Sequence, residues 1–96
     1  MFVSGQTPSR DGHVVHGTIG EETAIVFENI AAILSSAGAT LDNVVRCGVF
    51  LADLSQLAEF NEAYTAALGP DLPARTAVGA TLPGYQVEID CIAVVP

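Results

Sequence analysis

The chain contains no lysine and no tryptophan, and its 3 basic side chains are the arginines Arg10, Arg46 and Arg75. Against 11 acidic residues this leaves a formal charge of −8 over 96 residues. So few cations cannot build the track that neutralises a phosphate backbone, and no nucleic-acid partner is expected. The lack of lysine also removes Schiff-base catalysis and pyridoxal anchoring. No apolar run approaches the length of a transmembrane helix, and the start shows no basic stretch leading into an apolar one. Neither a membrane partner nor a secretory signal is expected. The 2 cysteines, Cys47 and Cys91, sit inside apolar runs and read as small core hydrophobes rather than a disulfide. A cytoplasmic location follows as the default.

What is present is mostly apolar. Half of the residues are hydrophobic and 15% are charged. A chain this short folds as one domain, residues 1–96, and has a large surface to cover with polar groups. Much apolar surface is therefore expected to be buried between copies of the chain.

Met1-Phe2-Val3-Ser4 reads as a strand already under way, which points to a further strand upstream in the fold. Asp11-Gly12 is a turn dipeptide, and His13-Val14-Val15-His16 reads as a short extended piece. Histidines three apart on a strand face opposite ways and have no further ligands near them, so they read as loop residues rather than a metal pair. Thr18 and Glu21 have capping-box spacing and place a helix start near Gly20 or Glu21. Val26, Phe27, Ile30, Ile33, Leu34 and Ala37 form its apolar stripe, and Gly38 ends it. Val44 to Ala52 is a strand with Val45, Cys47, Val49 and Leu51 on one face. Arg46 within it reads as a rim ion-pair residue. Asp53 caps a second helix, with Gln56 at the third position and a stripe of Leu54, Leu57, Phe60, Tyr64, Ala67 and Leu68. Two helices and about four strands predict an α+β sandwich with both helices on one sheet face.

The stretch from Pro73 to Asp90 carries the chemistry. Arg75 heads a strand and shares a face with Ala77 and Gly79, small neighbours that leave room around the guanidinium. Pro83-Gly84 reads as the turn of a hairpin whose returning strand, Tyr85 to Val95, carries Glu88. Asp90 reads as a plain surface or rim acid.

Several blocks of the sequence are similar to one known family. They are S-G-Q-T-P at 4–8, A-G-A-T-L-D-N-V-V-R at 37–46, V-F-L-A-D-L at 49–54, F-N-E-A-Y at 60–64, P-A-R-T-A-V at 73–78 and V-E-I-D-C-I-A-V at 87–94. Together they resemble the RidA/YjgF family of reactive-intermediate deaminases, some of which carry the label endoribonuclease L-PSP. The resemblance implies a chorismate-mutase-like subunit with a mixed sheet, assembled as a homotrimer with clefts between neighbours. It further implies hydrolysis of small 2-imino acids to 2-oxo acids and ammonia. Arg75 would hold the substrate carboxylate, Glu88 would position or activate water, and Ser4, Gly5, Asn61 and the backbone at Ala77 would line the cleft. The family's frequent cysteine two residues after the arginine is Ala77 here, and the connection from Arg75 to Glu88 is shorter than in the deaminase subgroup.

The residue types suit that chemistry. A planar guanidinium meets a carboxylate through two parallel hydrogen bonds, and one carboxyl group can serve both proton transfers of imine hydrolysis. No metal or organic cofactor is called for. The competing expectation is a trimeric, non-catalytic binder or sensor of small carboxylate metabolites.

Overall fold

The computed structural model describes residues 1–96. Thr18 starts the first helix, α1 (Ile19–Ser35), by accepting a hydrogen bond from the Glu21 N–H while the Glu21 carboxylate accepts from the Thr18 N–H. This reciprocal box satisfies two donors that a bare helix start leaves open. Val26, Phe27, Ile30 and Leu34 are buried along one face of α1, whereas Ala37 lies beyond its end. Asp53 caps a short 3-10 turn (Leu54–Gln56) through the Ser55 N–H rather than the helix itself. The second helix, α2 (Leu57–Leu68), follows and buries Phe60, Tyr64 and Leu68. Leu54, expected on that stripe, is 51% exposed. Neither helix is long and apolar enough to cross a membrane.

Six strands complete the chain: β1 (Phe2–Gln6), β2 (Ser9–Arg10), β3 (His13–Val14), β4 (Val44–Leu51), β5 (Ala74–Gly79) and β6 (Val87–Ala93). β2 and β3 form a small hairpin around Asp11-Gly12, where both residues have positive φ, as a tight hairpin turn demands. The other four make a mixed sheet in the order β1-β6-β4-β5, with β4 and β5 parallel and the remaining pairs antiparallel. Alternation along β6 sends Val87, Ile89, Cys91 and Ala93 into the core with Cys47, Val49 and Leu51 of β4. α1 and α2 cover that face, giving the α+β arrangement the sequence predicted. Val45 instead is exposed, because the register slips between Val44 and Arg46 and takes Val45 out of the alternation.

The expected Arg75–Glu88 hairpin does not form. β5 and β6 lie on opposite sides of β4, and the connection between them passes the end of β4. There the Ala80 N–H donates to the Leu51 carbonyl at 2.9 Å, and the Ala52 N–H donates to the Gln86 carbonyl at 3.0 Å. The reason lies in β4. With Cys47, Val49 and Leu51 all fully buried, it belongs at the centre of the sheet and needs a partner along each edge. Pro83-Gly84 marks a change of direction, and a turn dipeptide does not choose the strand's neighbour.

Candidate active site

Arg75 stands opposite Cys47 in the parallel β4–β5 ladder and so points to the helix-covered side. Its Nη1 donates to Asn61 Oδ1 of α2 at 2.7 Å. The guanidinium carbon lies 4.9 Å from the centre of the Tyr64 ring and 6.0 Å from that of Phe60. Asn61 and Tyr64 are one helical turn apart, so α2 presents both to the same arginine. No carboxylate neutralises Arg75. The one ion pair of the chain joins Arg10 and Glu28 at 2.8 Å. A guanidinium carries five N–H donors in a fixed fork, and Asn61 takes one of them. Ala77 follows on the same face of β5 and packs against the core. Because β5 is an edge strand, a row of its backbone groups faces outward beside the guanidinium.

Glu88 belongs to the other face of the sheet. It pairs with Phe50 and alternates with the buried Val87 and Ile89, so its side chain lies away from the helices. Its carboxylate reaches the start of the chain. Val3 pairs with Cys91 and Gln6 with Ile89, which leaves Ser4 and Gly5 opposite the single residue Asp90 as a β-bulge. Glu88 Oε2 occupies the place a side chain at Gly5 would need. Glu88 Oε1 accepts a hydrogen bond from the Tyr85 hydroxyl at 2.7 Å, and that bond with the carboxylate raises the Tyr85 phenol above its ordinary range. Asp90, expected to be a plain surface acid, is half-buried and accepts the Gly48 N–H at 3.1 Å. Arg46 makes no ion pair and donates to the Thr76 hydroxyl at 3.1 Å.

The site residues read from the sequence thus fall into two groups. Arg75, Asn61 and Ala77 gather at the β5 edge on the helix side; Ser4, Gly5 and Glu88 gather on the bare side of β1 and β6. The two strands are two ladder spacings apart, roughly 10 Å, and the Arg75 and Glu88 pairing positions differ by a further ~10 Å along β4. One small acid cannot touch both groups within a single chain.

Sequence reasoning missed Tyr64, Tyr85 and the contact of buried Glu22 with half-buried Gln86. Tyr64 carries a usable signal, since it follows Asn61 by one turn. Its buried hydroxyl has no hydrogen-bond partner of good geometry, the neighbouring group being the Cys47 thiol, and burial pushes both above their ordinary ranges. Tyr85 and Gln86 carry no local signal, because their contacts depend on the route the connection takes. No three His, Cys, Asp or Glu side chains gather closely enough to hold a metal ion.

Comparison with known proteins places these residues in a wider group. The sequence profile of the family described as Endoribonuclease L-PSP matches residues 1–95. The mitochondrial protein mmf2 of Schizosaccharomyces pombe is 41% identical over 98 residues, which cover 97% of this chain and 78% of that protein. A rat protein named 2-iminobutanoate/2-iminopropanoate deaminase is 39% identical over 99 residues, covering 98% of this chain and 72% of its own length. The crystal structure of RidA from an Antarctic Psychrobacter species superposes with a TM-score of 0.90 at 38% identity, covering 98% of this chain and 79% of that one.

Proposed function

Because this chain belongs to the endoribonuclease L-PSP family, the RidA/YjgF group, we propose that it hydrolyses small 2-imino acids to 2-oxo acids and ammonia. The site is a cleft between neighbouring copies, with Arg75 from one copy and the partner's Glu88 from the other. The observation that carries this reading is the state of Arg75: it rests on Tyr64, is held by Asn61, and has no protein acid to neutralise it. A planar anion is the missing counterpart. The split of the two half-sites over opposite sheet faces is what directs them to separate copies, in the homotrimer this reading takes as the assembly.

The chemistry runs in two stages. Arg75 holds the substrate carboxylate through its free donors, fixing the adjacent C=N carbon beside Glu88. Water adds to the carbon of the protonated imine while Glu88 takes one of its protons, and the π electrons move to nitrogen. Glu88 then returns that proton to nitrogen, and the C–N bond breaks with its electron pair leaving on ammonia. The hydroxyl proton passes by way of the carboxylate to the departing ammonia, which leaves as ammonium, so that the 2-oxo acid remains and Glu88 is again ionised. The net charge of −8 and the lack of lysine argue against RNA as the substrate.

The test supplies imine from an amino-acid oxidase in the presence of a trapping amine and measures how much imine is diverted to 2-oxo acid. The protein is expected to divert it, and Arg75→Ala is expected to lower kcat/KM about a hundredfold, the scale of losing one partner of a desolvated charge pair. Turnover no faster than buffer, with no effect of Arg75→Ala, sinks the reading. If 2-oxo acids then raise the melting temperature without turnover, the protein is a binder instead.

A further inference from the structure

The connection between β5 and β6 is more firmly held than an exposed loop needs to be. Gln86 anchors it. The Gln86 N–H donates to Glu22 Oε1 at 2.9 Å, and its side-chain amide donates to Glu22 Oε2 at 2.6 Å and to the Gly17 carbonyl at 2.8 Å. The Gln86 carbonyl accepts from the Ala52 N–H. Glu22, in the first turn of α1, is 2% exposed, and its two oxygens are committed to this one residue. A carboxylate is costly to bury unless it is hydrogen-bonded, and here each oxygen has a partner. The neighbour of Gln86 is Tyr85, whose hydroxyl is the donor to Glu88.

Each oxygen of Glu88 therefore has a different surrounding. Oε1 accepts from Tyr85, while Oε2 accepts no hydrogen bond and sits over the bulge in the place a side chain at Gly5 would take. Extending the hydrolase reading above, we infer that Tyr85 is a positioning residue for the reaction: by holding Glu88 Oε1 it fixes Oε2 as the oxygen that meets the attacking water. Glu22 and Gln86 keep Tyr85 in place. Tyr85 itself stays protonated throughout and exchanges no proton with substrate, so the proton balance of the hydrolysis is unchanged. The backbone of Glu88 is fixed between β1 and β4, and the phenol adds what that backbone does not set, the rotation of the carboxylate.

Tyr85→Phe keeps the ring and removes the hydroxyl. In the imine assay the variant is expected to lose about tenfold in kcat with KM within twofold, the scale of one hydrogen bond to a charged group, at an unchanged melting temperature. In a Glu88→Gln background the same substitution is expected to add no further loss, since the hydroxyl acts through Glu88. An active wild type whose Tyr85→Phe variant keeps its kcat overturns the inference and leaves the hydrolase reading standing. A loss that falls only on KM, or that persists in full without Glu88, overturns it in the same way. A wild type with no turnover overturns both. A second readout separates contact from catalysis: tyrosinate absorbance followed against pH. Glu88→Gln is expected to shift the ionisation of Tyr85, the more exposed of the 2 tyrosines, to lower pH, and leave that of buried Tyr64 in place. No movement of either phenol overturns the contact on which the inference stands.

Discussion

Gly5 has room for hydrogen alone, since Glu88 Oε2 sits where its Cβ would be. Gly5→Ala is expected to push the Glu88 carboxylate aside and lower kcat about a hundredfold, as an ångström-scale misplacement can. Gly12 offers the contrast. Its φ of +79° strains any side chain, yet nothing lies near the position of its Cβ. Gly12→Ala should cost about 1 kcal/mol of stability and leave turnover intact. Comparing kcat and melting temperature for the two variants checks both claims, and equal effects on activity would refute them. The thiols make a separate prediction. Burial raises Cys91 to about 11 from an ordinary 9.0 and also raises Cys47. A raised pKa means that the folded state holds the proton more tightly than the unfolded one. The associated stability is complete below pH 9 and is lost as the pH climbs from about 9 towards 11. Denaturant melts across that window should show the decline, and Cys91→Ala should flatten it.

At the scale of elements, α1 was legible from its chemistry. Thr18 and Glu21 define its start, and replacing Thr18 by alanine should cost about 1 kcal/mol, a drop in melting temperature of roughly 4–8 °C for a domain of this size. Such a local rule works because cap and first turn are neighbours in the chain. The strand of Arg75 and the strand of Glu88 obeyed no such rule. Both were recognisable as strands, and the Pro83-Gly84 turn between them was recognisable too, but their pairing was set by β4. Its wholly buried Cys47, Val49 and Leu51 need a neighbour on each edge, so β4 separates the two. The Ser4-Gly5 bulge is likewise a product of pairing: two residues oppose Asp90 only once β1 meets β6 in its observed register.

At the scale of the whole molecule, the uncovered face of the sheet is apolar for a surface. Phe2 is 83% exposed and Val78 41%, with Phe50 and Ile92 half-buried beside Gly48. The proposed function requires this chain to meet copies of itself, and such a face gives the driving force for it. Val78→Glu is expected to dissociate the assembly in sedimentation and to abolish turnover together, although Val78 touches none of the site residues' hydrogen bonds. Activity retained in a monomeric Val78→Glu protein would show that a single chain suffices.

The sequence alone determined the residue types and the local elements. The scarcity of arginine is a count, and the capped α1, the strand alternation and the family blocks lie in short stretches where neighbours in the chain are neighbours in space. Only the tertiary structure decided that Arg75 and Glu88 face opposite ways, that Tyr64 lies beneath one and Tyr85 holds the other, and that Glu22 anchors the connection between them. Those facts depend on which strand takes the centre of the sheet. That choice is made by burying the apolar faces of distant segments together, a global requirement that no single stretch of the chain contains.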